Sequence, residues 1–203
     1  MVTNVPIGSP MGQEERLRAA GDWLGASCVA RWRDTGFVFA ARVDGARLVL
    51  SGIGGKVEPG ETFRAAMLRE YHEETGTGPG RIVEPLPRHL DVGARRQPVP
   101  ESAAALISER PAGHPTGGTL WIAVFLAVAA DAPRPVEKVG AFAIVPPTPG
   151  PGPAGLDAAG IALLVDGALV PTPSRISRVE AEHTARAVLG QPGLLLEWWA
   201  ATA

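Results

Sequence analysis

Glu70, Glu73 and Glu74 stand at i, i+3 and i+4. A helix across Thr62 to Thr75 therefore sets all three carboxylates on one face. Phe63, Ala66 and Met67 fall on the same face. An acidic run on a helix is most often a solvated surface. Here the acids continue the stripe that carries the apolar anchors, so they are expected to point inward. Like charges at this spacing repel, and an unpaired buried carboxylate is costly. A divalent cation removes both penalties, and hard oxygen donors suit Mg2+ or Mn2+ better than zinc.

The whole stretch Gly55 to Thr77, GKVEPGETFRAAMLREYHEETGT, resembles the Nudix box GX5EX7REUXEEXGU, where U is a bulky aliphatic residue. Every fixed letter is matched by Gly55, Glu61, Arg69, Glu70, Glu73, Glu74 and Gly76. Tyr71 and Thr77 depart from the pattern, standing where the family prefers aliphatic side chains that pack the helix. The resemblance implies an α+β fold, a Nudix-like α/β/α sandwich around a mixed β-sheet. It implies an enzyme that hydrolyses a diphosphate linked to another group by water attack at phosphorus. Mg2+, with Mn2+ as a substitute, would be held by Glu70, Glu73, Glu74 and the backbone carbonyl of Gly55. Arg69 would stand behind these ligands and fix Glu61 and a ligand carboxylate through charge-assisted hydrogen bonds. The general base would be Glu70, Glu73 or Glu137.

Composition narrows the partners. The 203 residues carry a formal net charge of −2, which gives no pull toward a nucleic acid polymer or an anionic membrane. The length suits one domain with an extension. Cys28 is the one cysteine, so no internal disulfide forms and a reducing compartment is expected. The N-terminus lacks the pattern of a signal peptide, and the longest apolar run, Leu120 to Ala130, is too short to span a bilayer. The chain reads as a cytoplasmic protein acting on a small-molecule diphosphate.

The elements that must position the glutamates follow from local pattern. Residues 1–19 read as an N-terminal segment without fixed structure, with a candidate short helix beginning at Gln13 and running to Leu24. Residues 20–203 read as one domain. Ala26 to Arg33, Phe37 to Arg42 and Arg47 to Leu50 read as strands, the last two joined at the Asp44-Gly45 turn. Ser51 to Lys56 reads as a glycine-rich turn. It is not a Walker loop, because Leu50 replaces the first glycine and Val57 follows the lysine. Arg81 to Leu86 is a strand, and Pro87 to Gly118 a long Pro-, Gly- and Arg-rich loop with a brief helix at Glu101 to Glu109. Thr119 to Val128 is apolar enough for a central strand, and Ala141 to Val145 is another.

Residues 146–155 form a Pro/Gly-rich linker, and 156–203 a C-terminal helical extension. Within it, Leu156 to Val170 is apolar and of open type. Ser174 to Leu189 is expected as a helix capped by Ser174, with His183 packed in its core face. Leu194 to Trp199 is an apolar tail that docks on the core or on a second subunit, which leaves a homodimer open.

Outside the box, Lys56, Arg88, His89, Arg95 and Arg96 are candidates to meet the substrate, and a solvated loop explains the last four equally. Two other functions compete. An isomerase on the same fold needs a reactive cysteine with a histidine metal set, which Cys28 and scattered histidines do not supply. A non-catalytic Nudix-like sensor or interaction module is opposed by the complete set of box glutamates. The run GIGGKVEPGE is similar to that of nucleotide-sanitising members, which favours a nucleoside di- or triphosphate among nucleoside diphosphate derivatives, with ADP-ribose, nucleotide sugars, coenzyme A and dinucleotide polyphosphates also open.

Overall fold

A computed structural model describes residues 12–91, 95–110, 118–136, 139–147 and 158–203. Helix α1 (Gln13–Ala19) precedes four strands, β1 (Trp23–Trp32), β2 (Gly36–Asp44), β3 (Arg47–Ser51) and β4 (Ile53–Lys56). Helix α2 (Phe63–Thr75) follows, then β5 (Arg81–Val83), β6 (Arg88–Asp91), β7 (Ala105–Glu109), β8 (Leu120–Ala129) and β9 (Ala141–Val145). After a 3-10 turn at Ala158–Gly160 come β10 (Ala162–Val165), β11 (Ala168–Pro171), β12 (Arg178–Ala181), α3 (His183–Leu189) and α4 (Pro192–Thr202).

The described strands form one mixed sheet, ordered β11-β10-β9-β2-β1-β8-β7-β6, with β4 on β1, β5 on β8, and β3 between β2 and β12. Its spine is the parallel pair β1 and β8, in register from Trp23↔Leu120 to Trp32↔Ala129. Sequence explains why both are so apolar: each face of the sheet is covered, so both sides of every central strand must be buried. Trp121, Ala123 and Phe125 pack with Leu17 of α1 and with Phe63, Ala66, Met67 and Tyr71 of α2. Val124 and Leu126 face the other way, toward Val188, Leu189, Leu195 and Trp198 of the C-terminal helices. The result is the α/β/α sandwich with a C-terminal helical extension.

Helix α2 begins and ends on sequence signals. The Thr62 hydroxyl accepts the Ala65 N–H at 3.1 Å, an N-cap that satisfies one otherwise orphaned donor. Glu14 of α1 accepts the Phe63 N–H at 3.0 Å, placing a negative charge at the positive end of the helix dipole. Gly76 stops the helix in the left-handed conformation, φ +66°, with its N–H on the His72 carbonyl. Phe63 and Met67 are buried, a contribution of about 1.5–3 kcal/mol each. Tyr71, at the position the box reserves for an aliphatic residue, is fully buried as well.

Three expectations are corrected. Glu101 to Glu109 is not a helix: Ala105–Glu109 is β7, held by antiparallel pairing with β8 and parallel pairing with β6. Ser51 to Lys56 is not only a turn, because Ile53–Lys56 runs antiparallel to β1. Ser174 to Leu189 is not one helix. Arg178–Ala181 is drawn into the sheet beside β3, and the helix starts at His183 with Glu182, not Ser174, in the cap position. The open stretch from Leu156 resolves, in its described part, into the hairpin β10–β11. The tail docks on the core. Trp198 is buried, and Trp199 meets Phe37 edge-on at 5.7 Å under the Arg31 guanidinium, 4.0 Å from the ring centre.

Candidate active site

Strand β4 carries the glycines of the box past the middle of α2. At Gly55 an added Cβ would lie 2.5 Å from the Glu70 carboxyl carbon. Only glycine lets this backbone and that carboxylate face each other. Glu70 is 13 % exposed at its side chain and accepts from Arg69 Nη1 at 2.7 Å. One residue earlier on the strand, the Gly54 N–H donates to Glu74 Oε2 at 3.0 Å.

Arg69 organises the rest. Its Nε and Nη2 bind the two oxygens of Glu61 at 2.8 and 3.0 Å, a bidentate pairing that fixes the plane of both groups. Nη2 also donates to the Lys56 carbonyl at 3.0 Å, tying α2 to the end of β4. Nη1 reaches toward Glu73 Oε1 at 3.5 Å. The Arg69 hydrogen bonds, followed by the Glu58 N–H, push the Glu61 carboxyl down to about 2, and those same carboxylates hold the Arg69 guanidinium above its usual range.

Glu61, Glu70 and Glu73 thus gather around one guanidinium, with Glu74 held on the neighbouring Gly54 N–H, and the excess negative charge is what a divalent cation would offset. The donor set is all oxygen, which fits Mg2+ or Mn2+. Among the described residues no three acidic, histidine or cysteine side chains stand close enough together to hold a metal ion as they are placed. The Glu73 side chain is 41 % exposed.

A cavity of about 590 Å³ opens beside the box, on the side of β4 that Lys56 faces. Leu24, Leu120 and Ile122 form its apolar wall, with Trp23 at 58 % exposure beside them. Arg18 and Lys56 line it too, and Arg18 donates to the carbonyls of Val57 and Glu58. Asp22, also in the lining, is committed to structure. It accepts the Thr119 N–H and the Trp121 indole N–H, each at 2.9 Å, and pairs with Arg95 at 3.1 Å.

The NUDIX domain family model matches residues 23–146, from the start of β1 past the end of β9. The chain belongs to the Nudix family. It is accordingly an enzyme of the pyrophosphohydrolase type. No curated protein matches its sequence significantly. Several solved structures are similar to it in fold. A MutT NUDIX hydrolase from Burkholderia pseudomallei is 23 % identical, with 57 % of this chain and 74 % of that one covered and a TM-score of 0.38. The MutT protein from Methanosarcina mazei Go1 is 18 % identical, with 62 % and 77 % covered and a TM-score of 0.41. A bifunctional NMN adenylyltransferase/ADP ribose pyrophosphatase from Francisella tularensis, complexed with AMP and Mn ion, is 13 % identical, with 65 % and 37 % covered and a TM-score of 0.37.

In this Nudix chain the structure brings together Gly55, Glu61, Arg69, Glu70, Glu73, Glu74 and Lys56. Glu137 lies outside the described residues, as do Lys138, His114 and the linker from residue 148. The chain leading to Glu137 is anchored at the box, where Val136 N–H donates to the Glu74 carbonyl at 3.3 Å and Arg134 N–H to that of Thr75 at 3.1 Å. Arg88 pairs with Glu197 of α4, and neither it nor Arg96 lines the cavity. Sequence reasoning passed over Trp23 and Arg18. Local pattern hid the first, because Trp23 fell inside the candidate helix Gln13 to Leu24 and not at the head of β1. It also misread His183, which is 52 % exposed at its side chain and lines the cavity instead of packing in the core.

Proposed function

We propose that this Nudix enzyme is a Mg2+-dependent hydrolase that cleaves the diphosphate linkage of a nucleoside diphosphate derivative by water attack at phosphorus. The Gly55–Glu70 cradle carries the reading: a bare backbone faces a carboxylate at the head of an all-oxygen donor set. Glu70, Glu73, Glu74 and the Gly55 carbonyl would hold the ion, with Mn2+ as a substitute. Bound there, it would offset the diphosphate charge and lower the pKa of a water. Arg69 keeps Glu61 and Glu70 in place without touching substrate. Lys56, which lines the cavity, meets the diphosphate, and a carboxylate among Glu70, Glu73 and Glu137 takes the proton of the attacking water.

Purified protein is offered nucleoside triphosphates, ADP-ribose, nucleotide sugars, coenzyme A and dinucleotide polyphosphates with Mg2+, and released phosphate or monophosphate is measured. Turnover is expected with Mg2+, fastest at alkaline pH, and absent in EDTA. Turnover indifferent to the chelator would sink the mechanism.

A further inference from the structure

One wall of the cavity comes from outside the family-matched region. His183 and Thr184 line it from the first turn of α3, whereas the match ends at residue 146. They are delivered by β12, whose Glu180 and Ala181 stand beside Val49 and Leu50 of β3. The Glu182 N–H then donates to the Leu50 carbonyl at 2.8 Å. Thr184 sits directly on Gly52: an added Cβ there would come within 2.9 Å of the Thr184 side chain and 2.0 Å of the Ser27 hydroxyl. The extension is therefore seated on the strand turn that leads into the box.

His183 has a backbone φ of +36°, a left-handed conformation that a non-glycine residue keeps only where its surroundings hold it. The hold is visible. Its Nδ1 lies 2.8 Å from Glu109 Oε2, and Arg186, one turn along α3, donates to the other oxygen of Glu109. Glu109 is the register partner of Leu120, so the ring stands at the apolar wall. With Nδ1 engaged, Nε2 is the ring nitrogen left for a ligand.

We propose that His183 is a specificity-determining residue: its imidazole contacts the nucleobase of the substrate in the cavity, and Glu109 is the positioning residue that orients it. The apolar wall of Leu24, Leu120 and Ile122 beside Trp23 suits a flat ring, and Nε2 adds one directional polar contact. This rests on the pyrophosphohydrolase reading of the same site.

The test compares wild type, His183→Ala and His183→Asn on ATP, GTP, CTP, UTP and ADP-ribose with Mg2+. Asparagine tolerates the left-handed backbone and keeps the comparison valid where alanine unfolds the turn. Both variants are expected to raise KM for the preferred substrate about tenfold, the loss of one good hydrogen bond. They leave kcat within about twofold and narrow the differences in kcat/KM between bases. An equal change on every substrate, or none, overturns the proposal. If wild type hydrolyses none of these five, the hydrolase reading is judged separately on the wider panel above, and titration calorimetry with ADP judges the pocket. Weaker ADP binding by both variants supports it; equal affinity, or no binding by wild type, overturns it.

Discussion

Arg69 binds two carboxylates and a backbone carbonyl at once, so the charge of Glu61 is built into the fold. With its carboxyl held near 2 instead of the ordinary 4.5, Glu61 contributes stability that is fully present above about pH 4.5 and is lost as pH falls toward 2. In Glu61→Gln that portion of the acid dependence should vanish. Urea unfolding between pH 6 and pH 2 reads it, and identical slopes in mutant and wild type would refute the assignment. Glu74 separates structure from chemistry. A glutamine there retains an oxygen to accept the Gly54 N–H but loses the ligand charge. Glu74→Gln is expected to stay folded by circular dichroism and to lose turnover; full activity would remove Glu74 from the metal set.

At the scale of elements, the close approach of β4 to α2 makes Gly55 a sensitive point. In Gly55→Ala the new methyl meets the end of the Glu70 side chain, a flexible group that can swing away. Folding should survive with a loss below about 1.5 kcal/mol, while activity collapses because Glu70 is displaced from the site. Urea midpoints and steady-state rates together check this, and retained activity would argue that Glu70 is dispensable. This element was readable in advance because its signals are local: Thr62 caps, Gly76 stops, and the spacing between them fixes the face. Strand β8 was equally plain in the apolar run Thr119 to Val128. The regions around β7 and β12 were not, since short strands are decided by distant partners. Val179 fits a helical stripe as well as a strand until β3 lies alongside to claim it. His183 was misplaced for the same reason, as the Glu109 that holds it is remote in sequence.

At the scale of the molecule, the described residues form two cores, one on each face of the sheet, and the C-terminal helices seal one of them. Trp198 is fully buried there. Trp198→Ala should cost about 3–5 kcal/mol, a large part of the roughly 5–15 kcal/mol typical of a folded domain. Denaturant titration measures it, and a loss under about 1 kcal/mol would mean that α4 contributes little to the core. The opposite core encloses Cys28, mid-strand in β1, flanked by β4 and β8, and wholly shielded from solvent. Burial also pushes its thiol pKa up, so the nucleophilic thiolate is scarce as well as hidden. The protein therefore carries an internal clock: a chromogenic disulfide reagent can react only in the instants when the sheet's spine comes apart. Its labelling rate should be negligible in buffer and should climb with urea in step with global unfolding. Rapid labelling without denaturant would show that the spine breathes on its own.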